Sequence, residues 1–317
     1  MYKPIRCPVC AASELETVDF HVFSEAAAEN PGVKQRVATY IELFEEPGSR
    51  IAEVSIQLCA SCSFLFTSPR LTEADLDRKY ATIAAADVAA RRGRPPHLAG
   101  RRTRTTPLLQ KLLAEATSGS GKVLDYGGAE GYLLSPLIDA GHRGFVADYI
   151  DYPREDDRIQ YLGQKFGPEL DAAGPFDCIM ALHTLEHVAD PVRMIRQLGG
   201  LLAPSGYLYL EVPLGAWLEW QTLREPLTHI NFFGEESLTR AVREAGLHVH
   251  SVDTAWQFVT HPERTPCVNL VASKSLPIKA PVVRTGRQQR QPLSEALPAL
   301  RVNPRYYGKQ LLKTLFA

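Results

Sequence analysis

Lys122-Val123-Leu124-Asp125-Tyr126-Gly127-Gly128-Ala129-Glu130-Gly131 reads as a short buried strand that breaks into a glycine-rich turn. At the carboxyl end of a first strand such a turn lets a ligand approach the backbone closely, and in open α/β sheets that place is the topological switch point where ligands bind. Outward from it, the chain alternates from Pro107 on. PLLQKLLAEA reads as a helix, KVLDYGG as a strand, LLSPLIDAG as a helix, GFVADYI and FDCIMAL as strands, and PVRMIRQLGGLLAP as a helix. GYLYLEVP follows as a strand, SLTRAVREAGL as a helix and CVNLVAS as a last strand. This alternation specifies an α/β fold with a doubly wound, mostly parallel sheet.

The turn separates several nucleotide-binding patterns. The dinucleotide fingerprint G-x-G-x-x-G does not fit, because with Gly128 and Gly131 as the last pair Tyr126 stands where the first glycine belongs. The Lys-Ser/Thr of a phosphate loop is missing as well. D-x-G-x-G-x-G fits over Asp125, Gly127, Ala129 and Gly131, with Ala129 as the one departure. Here the chain resembles the class I methyltransferases that use S-adenosylmethionine, a family with a Rossmann-like sheet.

Three further segments resemble that family in the same order. GHRGFVADYID carries Asp148, seven residues after Gly141, where an acid would accept hydrogen bonds from both ribose hydroxyls, with Asp151 as the fallback. FDCIMALHTLEHVADP contains the LEHVxDP run, with His183, Glu186 and His187 at the carboxyl edge of the sheet. EPLTHINFFGEESLTRAVREAGL resembles the HxxFF-then-helix segment that closes over the substrate, and it carries His229. The resemblance implies a cofactor site of Asp125, Gly127, Gly128, Ala129, Gly131, Asp148 and His183. His187 and His229 are candidates for removing a proton from a hydroxyl or acidified-carbon acceptor near neutral pH, with Glu186 beside them.

Four of the six cysteines form two C-x-x-C pairs, Cys7/Cys10 and Cys59/Cys62, a set suited to one tetrahedral structural zinc ion (Zn2+). The 48 residues between the pairs exceed the spacing of a compact ribbon. Closing the longer loop costs only about 0.9 kcal/mol more, against roughly 10 kcal/mol from structural zinc binding. Cys178 and Cys267 lie in apolar runs and read as core. Together with the methyltransferase motifs, the cysteine pairs resemble a subgroup with an amino-terminal zinc-binding domain, whose members modify sugars or other small metabolites. The domain reading is therefore 1–80 zinc-binding, 81–106 basic linker, 107–275 cofactor-binding methyltransferase and 276–317 basic tail.

The 317 residues are 45% hydrophobic and 22% charged, the composition of an ordinary globular chain of about two domains. A net charge of -1 disfavours a wholly basic nucleic-acid binder, and no apolar run suits a transmembrane span or a secretion signal, so the cytoplasm is the expected location. Arg91, Arg92, Arg94, Arg101, Arg102 and Arg104 read as a solvated linker or as a clamp for an anionic acceptor. The tail, with eight Lys/Arg against Glu295 alone, suits an acidic partner or a membrane surface. Trp217 and Trp220 are candidates for a wall of the acceptor pocket. The expected partner is a small-molecule acceptor. The alternatives are an RNA methyltransferase that holds RNA with the zinc domain and linker arginines, and a non-catalytic binding protein with a decayed cofactor site.

Overall fold

The computed structural model describes residues 5–28, 31–90, 97–163, 166–215, 220–221, 223–258 and 264–276. Trp217, Arg91, Arg92, Arg94 and the tail from residue 277 lie outside them, so the expectations placed there have no structural counterpart. In chain order the elements begin with β1 (Leu15–Ser24), α1 (Pro31–Phe44), β2 (Ile51–Cys59), β3 (Leu65–Ser68), α2 (Glu73–Ala90) and α3 (His97–Ala116). The central run is β4 (Lys122–Tyr126), α4 (Ser135–Asp139), β5 (Arg143–Ala147), β6 (Gln160–Tyr161), α5 (Pro168–Ala173) and β7 (Phe176–Leu182). Last come α6 (Pro191–Leu201), β8 (Leu202–Pro213), β9 (Asn231–Phe232), α7 (Glu235–Glu244), β10 (His248–Phe258) and β11 (Arg264–Ser273).

Seven strands form the main sheet in the order β10-β11-β8-β7-β4-β5-β6. From β8 through β6 all neighbours are parallel, while β11 runs antiparallel to both β8 and β10. The fold is therefore the expected Rossmann-like sheet, with one reversed strand. Leu108, Leu109, Leu112 and Leu113 of α3 cover one face over Val123, Cys178 and Met180. On the other face α6 and α7 pack Ile195, Leu198, Leu238 and Val242 over Leu124, Ile179 and Leu210. Burial on both faces explains why FDCIMAL is a continuous apolar run. α6 starts sharply because the Asp190 side chain accepts from the Arg193 N–H and Pro191 takes the first turn. The chain leaves β4 towards β5 on one side and returns to β7 on the other, which puts the glycine turn at the switch point.

Three sequence expectations need correction. The stretch 97–106, read as linker, is the first half of α3, and Pro107, read as a helix start, lies inside that helix. RRTRTT shows no hydrophobic periodicity; buried ion pairs described below hold it helical instead. The strand β10 escaped the reading because HVHSVDTAWQF is a polar edge strand whose pairing with β11 orders it. Nor is 1–80 a separable domain. A second sheet, β1-β2-β3-β9, takes its last strand from the segment after β8, and Cys7, Cys59, Cys62, Phe64 and Phe66 share one core with Phe233 and the sheet's α6–α7 face. Among the described residues no helix is long and apolar enough to cross a membrane.

Arg70 rivets the two sheets together. Its guanidinium donates to Ala189 O at 2.6 Å and Asn231 Oδ1 at 2.7 Å, and Asn231 in turn donates to Leu185 O and Val188 O at 2.7 Å each. Charge-assisted bonds of this kind contribute about 1.5–3 kcal/mol each, and the planar fork is not reproduced by an ammonium. Arg70→Ala should lower the unfolding free energy by about 3 kcal/mol or more, and Arg70→Lys should recover only part of the loss, as read by denaturant titration.

Candidate active site

The turn after β4 is built by close approach. Gly127 has φ +77°, and a Cβ there would lie 2.4 Å from Thr184 Oγ1; one on Gly128 would lie 2.3 Å from the Asp125 carboxyl carbon. Neither position accepts a side chain. Ala129, the departure from the motif, also sits in the left-handed region at φ +49°, which costs roughly 1–2 kcal/mol for a residue with a Cβ. Its methyl packs with Ile150 and Tyr152, and its N–H donates to Asp148 Oδ2 at 2.9 Å, so the loop keeps its path without the glycine.

Asp148 follows β5 and also accepts from the Ile150 N–H, at 3.0 Å. It lines a cavity of about 620 Å3 together with Gly127, Tyr149, His183, Thr184 and His187. Asp151, the fallback, is two-thirds exposed and paired with Arg154, so the structure favours Asp148. Asp125 is buried under the turn, and burial, opposed by Arg101 and aided by Asp148, raises its carboxyl to about 7. The amino-terminal part supplies the opposite wall of the same cavity through Arg36, Glu73, Leu76, Lys79 and Tyr80. Lys79 is buried, donates to Leu227 O at 2.9 Å, and is pushed down to about 8 by desolvation. Trp220 is 1% exposed and is a core residue, which corrects its reading as a pocket wall.

At the carboxyl edge of the sheet lies a polar cluster that the sequence reading missed. Glu211, at the end of β8, has no solvent exposure. Arg101 donates to its Oε1 at 3.0 Å and Arg104 to its Oε2 at 2.7 Å, while the Tyr209 hydroxyl adds a bond at 3.0 Å. Burial alone would raise its carboxyl; Arg101, His183 and Arg104 hold it well below the usual range. The detectable signal was a lone acid inside the apolar run YLYLEVP, matched by arginines three apart on one helix face. Arg102 is also turned inward, over the Tyr132 ring at 3.7 Å. The three described arginines of the basic run are therefore engaged with Glu211, Glu155 and Tyr132, with side chains only 14–27% exposed.

His183 joins this cluster to the predicted catalytic residues. Its Nε2 is 3.1 Å from Glu211 Oε1 and its Nδ1 is 3.4 Å from Glu186 Oε1. Burial and Arg101 oppose protonation, but contacts with Cys267, Glu186 and Glu211 raise the imidazole well above its usual value. Burial would likewise raise Glu186, yet the neighbouring imidazoles hold its carboxyl at about 2. His187 donates from Nδ1 to Thr228 O, and its ring centroid is 4.8 Å from that of His229. Desolvation pushes His187 down to about 3, so its expected titration near neutrality is corrected: it stays neutral, with the lone pair on Nε2. The structure thus brings His183, Glu186, His187 and His229 together.

The four predicted metal ligands converge. Cys7 Sγ and Cys62 Sγ are 3.5 Å apart, as are Cys10 Sγ and Cys59 Sγ, and all four sulfurs lie within 4.8 Å of one another. A tetrahedron with bonds of about 2.3 Å needs sulfurs about 3.8 Å apart, so the set fits a zinc ion. Matching turns aim the pairs: Ala11 N donates to Cys7 O and Ser63 N to Cys59 O, both at 2.9 Å. The Cys62 thiol, donating to Cys7, lowers Cys7 to about 5, whereas the same contact and burial raise Cys62.

Residues 97–252 match the model of a family described as Methyltransferase domain. The chain is 30% identical over 116 residues to the tRNA 5-carboxymethoxyuridine methyltransferase of Escherichia coli, covering 32% of this chain and 44% of that protein. To the ubiquinone biosynthesis O-methyltransferase of Vibrio campbellii it is 29% identical over 160 residues, covering 45% and 63%. The chain thus spans less than two thirds of the length of these relatives. Among solved structures, magnesium protoporphyrin IX methyltransferase from Synechocystis with bound SAH aligns with a TM-score of 0.47 at 18% identity, over 64% of this chain and 100% of that one.

The Asp125 carboxyl gives a pH signature. The folded protein keeps its proton up to about pH 7, while the unfolded chain releases it near pH 4, so this group's contribution to stability falls as pH rises between those values. Asp125→Asn removes that dependence. The difference in unfolding free energy between variant and wild type should move in the variant's favour by on the order of 2–4 kcal/mol from pH 4.5 to pH 8, measured by denaturant unfolding at both values.

Proposed function

We propose that the chain is an S-adenosylmethionine-dependent methyltransferase acting on a small molecule, of the sugar or nucleotide-sugar class that the sequence resemblance implies. The observation that carries the reading is Asp148, which holds the glycine turn through the Ala129 N–H and faces the cavity. Bound S-adenosylmethionine would supply an electrophilic methyl carbon on a sulfonium. The chain's part begins with ribose recognition: a carboxylate oxygen can accept more than one hydrogen bond, so Asp148 can accept from ribose hydroxyls while it holds the N–H groups of the turn. Gly127 and Gly128 keep the backbone beneath it clear of side chains. His183, anchored by Glu211, edges the cavity between the turn and the catalytic candidates.

An acceptor entering against Arg36, Lys79 and Tyr80 would meet Thr228 and His187. In-line displacement needs alignment and exclusion of water above all, and the wall made by α1 and α2 serves both. A hydroxyl acceptor also needs to lose a proton; His229 and His187 are the assigned acceptors beside Glu186, His187 through Nε2 because Nδ1–H is committed to Thr228. Burial makes His187 a weaker base than an ordinary imidazole. A tRNA acceptor, suggested by one relative, draws no support from Arg101, Arg102 and Arg104, since all three are engaged inside the protein. Cys7, Cys10, Cys59 and Cys62 would hold a structural zinc ion that clamps the chain start to the end of β2.

Calorimetric titration should show S-adenosylmethionine binding to the wild-type chain, weakened by about 10- to 100-fold in Asp148→Ala, the loss of charged hydrogen bonds worth about 1.5–3 kcal/mol. No binding by the wild type removes the reading, and an unchanged variant removes Asp148 from it. Cys59→Ser should lose one equivalent of zinc relative to wild type by metal analysis, and full retention rules out the four-cysteine set.

A further inference from the structure

We infer that Glu186, His187 and His229 form a second metal site, for a divalent cation of the zinc, cobalt or manganese type, at the wall of the cavity. One ligand atom from each lies within 4.8 Å of the others, and His187 Nε2 is 3.8 Å from Glu186 Oε1. A point equidistant from atoms so spaced is about 2.2–2.8 Å from each, against about 2.0–2.2 Å for zinc with nitrogen or carboxylate oxygen. Side-chain movements of a few tenths of an ångström close the difference.

Two independent features point to a cation. Glu186 is 1% exposed, and both of its carboxylate oxygens are buried without a hydrogen-bond partner. His183 Nδ1 meets Oε1 from one side at 3.4 Å, and a buried carboxylate whose other oxygen has no hydrogen-bond partner has capacity for a cation. His187 Nδ1 donates to the Thr228 carbonyl, the outer contact that fixes the tautomer and aims Nε2 as a ligand in metal-bound histidines. Two histidines and one glutamate leave a position open, the arrangement of sites that take a water or substrate as a further ligand, and His187 and Thr228 border the cavity that gives access. The neighbouring group His183, Glu211 and Cys267 is similarly compact, but Arg101, Arg104 and Tyr209 already occupy the Glu211 oxygens, so it has no capacity for an ion.

Occupancy changes what these residues do. An imidazole lone pair given to a cation takes no proton, so in the loaded protein the three residues hold positive charge at the cavity wall, where it would bind and acidify an oxygen-bearing acceptor group. Metal binding itself does not depend on the methyl-transfer reading, and a chain that binds metal here but not S-adenosylmethionine would separate the two.

Manganese is the selective probe, because its preference for nitrogen and oxygen donors leaves the four thiolates aside. Titration of the full-length wild-type chain with Mn2+, followed by electron paramagnetic resonance, should show one bound ion, and Glu186→Gln and His229→Asn should each weaken it at least ten-fold. After loading with Zn2+ and desalting, the wild type should hold two equivalents and each variant one, the remaining ion reporting that the cysteine set is folded. No manganese bound by the wild type, or equal binding by either folded variant, overturns the site.

Discussion

Glu211 is a fully buried carboxylate on the central sheet, and its charge requires partners that only distant parts of the chain can supply. Arg101 and Arg104 come from more than a hundred residues earlier, and meeting Glu211 draws the start of α3 over the end of β8. The remaining side of Oε1 is met by His183, which stands in the left-handed region at φ +53° just after β7. One buried charge thus sets the helix that roofs the sheet edge, the path of the chain after β7 and the protonation of the imidazole facing the cavity. Removing either side would leave the other charge buried and unpaired, a loss larger than that of any single surface pair.

The amino-terminal segment is joined to the same edge by different means. Pairing of β3 with β9, the tilted ring contact of Phe64 with Phe233 at 4.9 Å and the Arg70 fork all act across the boundary between the two sheets. A cavity whose walls come from both sides follows from this joining. Tyr80 stacks on Tyr149 with ring centroids 4.4 Å apart, which links α2 directly to the residue after Asp148.

Charge is distributed unevenly around the cavity. The glycine turn is lined by Asp125, raised by burial, and Asp148, held by two N–H groups. Across from them Glu186, His187 and His229 are packed closely enough for burial to keep His187 neutral while Glu186 stays ionised. A neutral imidazole, its Nδ1–H fixed by Thr228, beside an ionised carboxylate can receive a proton or a cation at Nε2. Lys79, lowered to about 8 by burial, still carries most of its charge at neutral pH beside Arg36 on the intervening wall.

The sequence by itself determined the parallel sheet and the glycine turn. Their signals are local: apolar runs with the period of buried strands, glycines at Gly127 and Gly128 where no Cβ fits, an acid after the second strand, and cysteines in two tight pairs. The tertiary structure alone decided the rest. RRTRTT has no helical periodicity, and it is helical because Glu211 lies opposite Arg101 and Arg104. HVHSVDTAWQF becomes a strand because β11 offers it an edge. Residues 1–80 look like an independent unit in composition, and they are fused to the rest because Arg70, Phe64 and β3 find their partners near residues 188–233. His187 reads as an ordinary titrating histidine until burial, opposed by Glu186 and aided by His229 and Lys79, lowers its proton affinity. In each case the deciding energy is a contact between residues far apart in sequence, and no local pattern encodes the desolvation that makes such a contact matter.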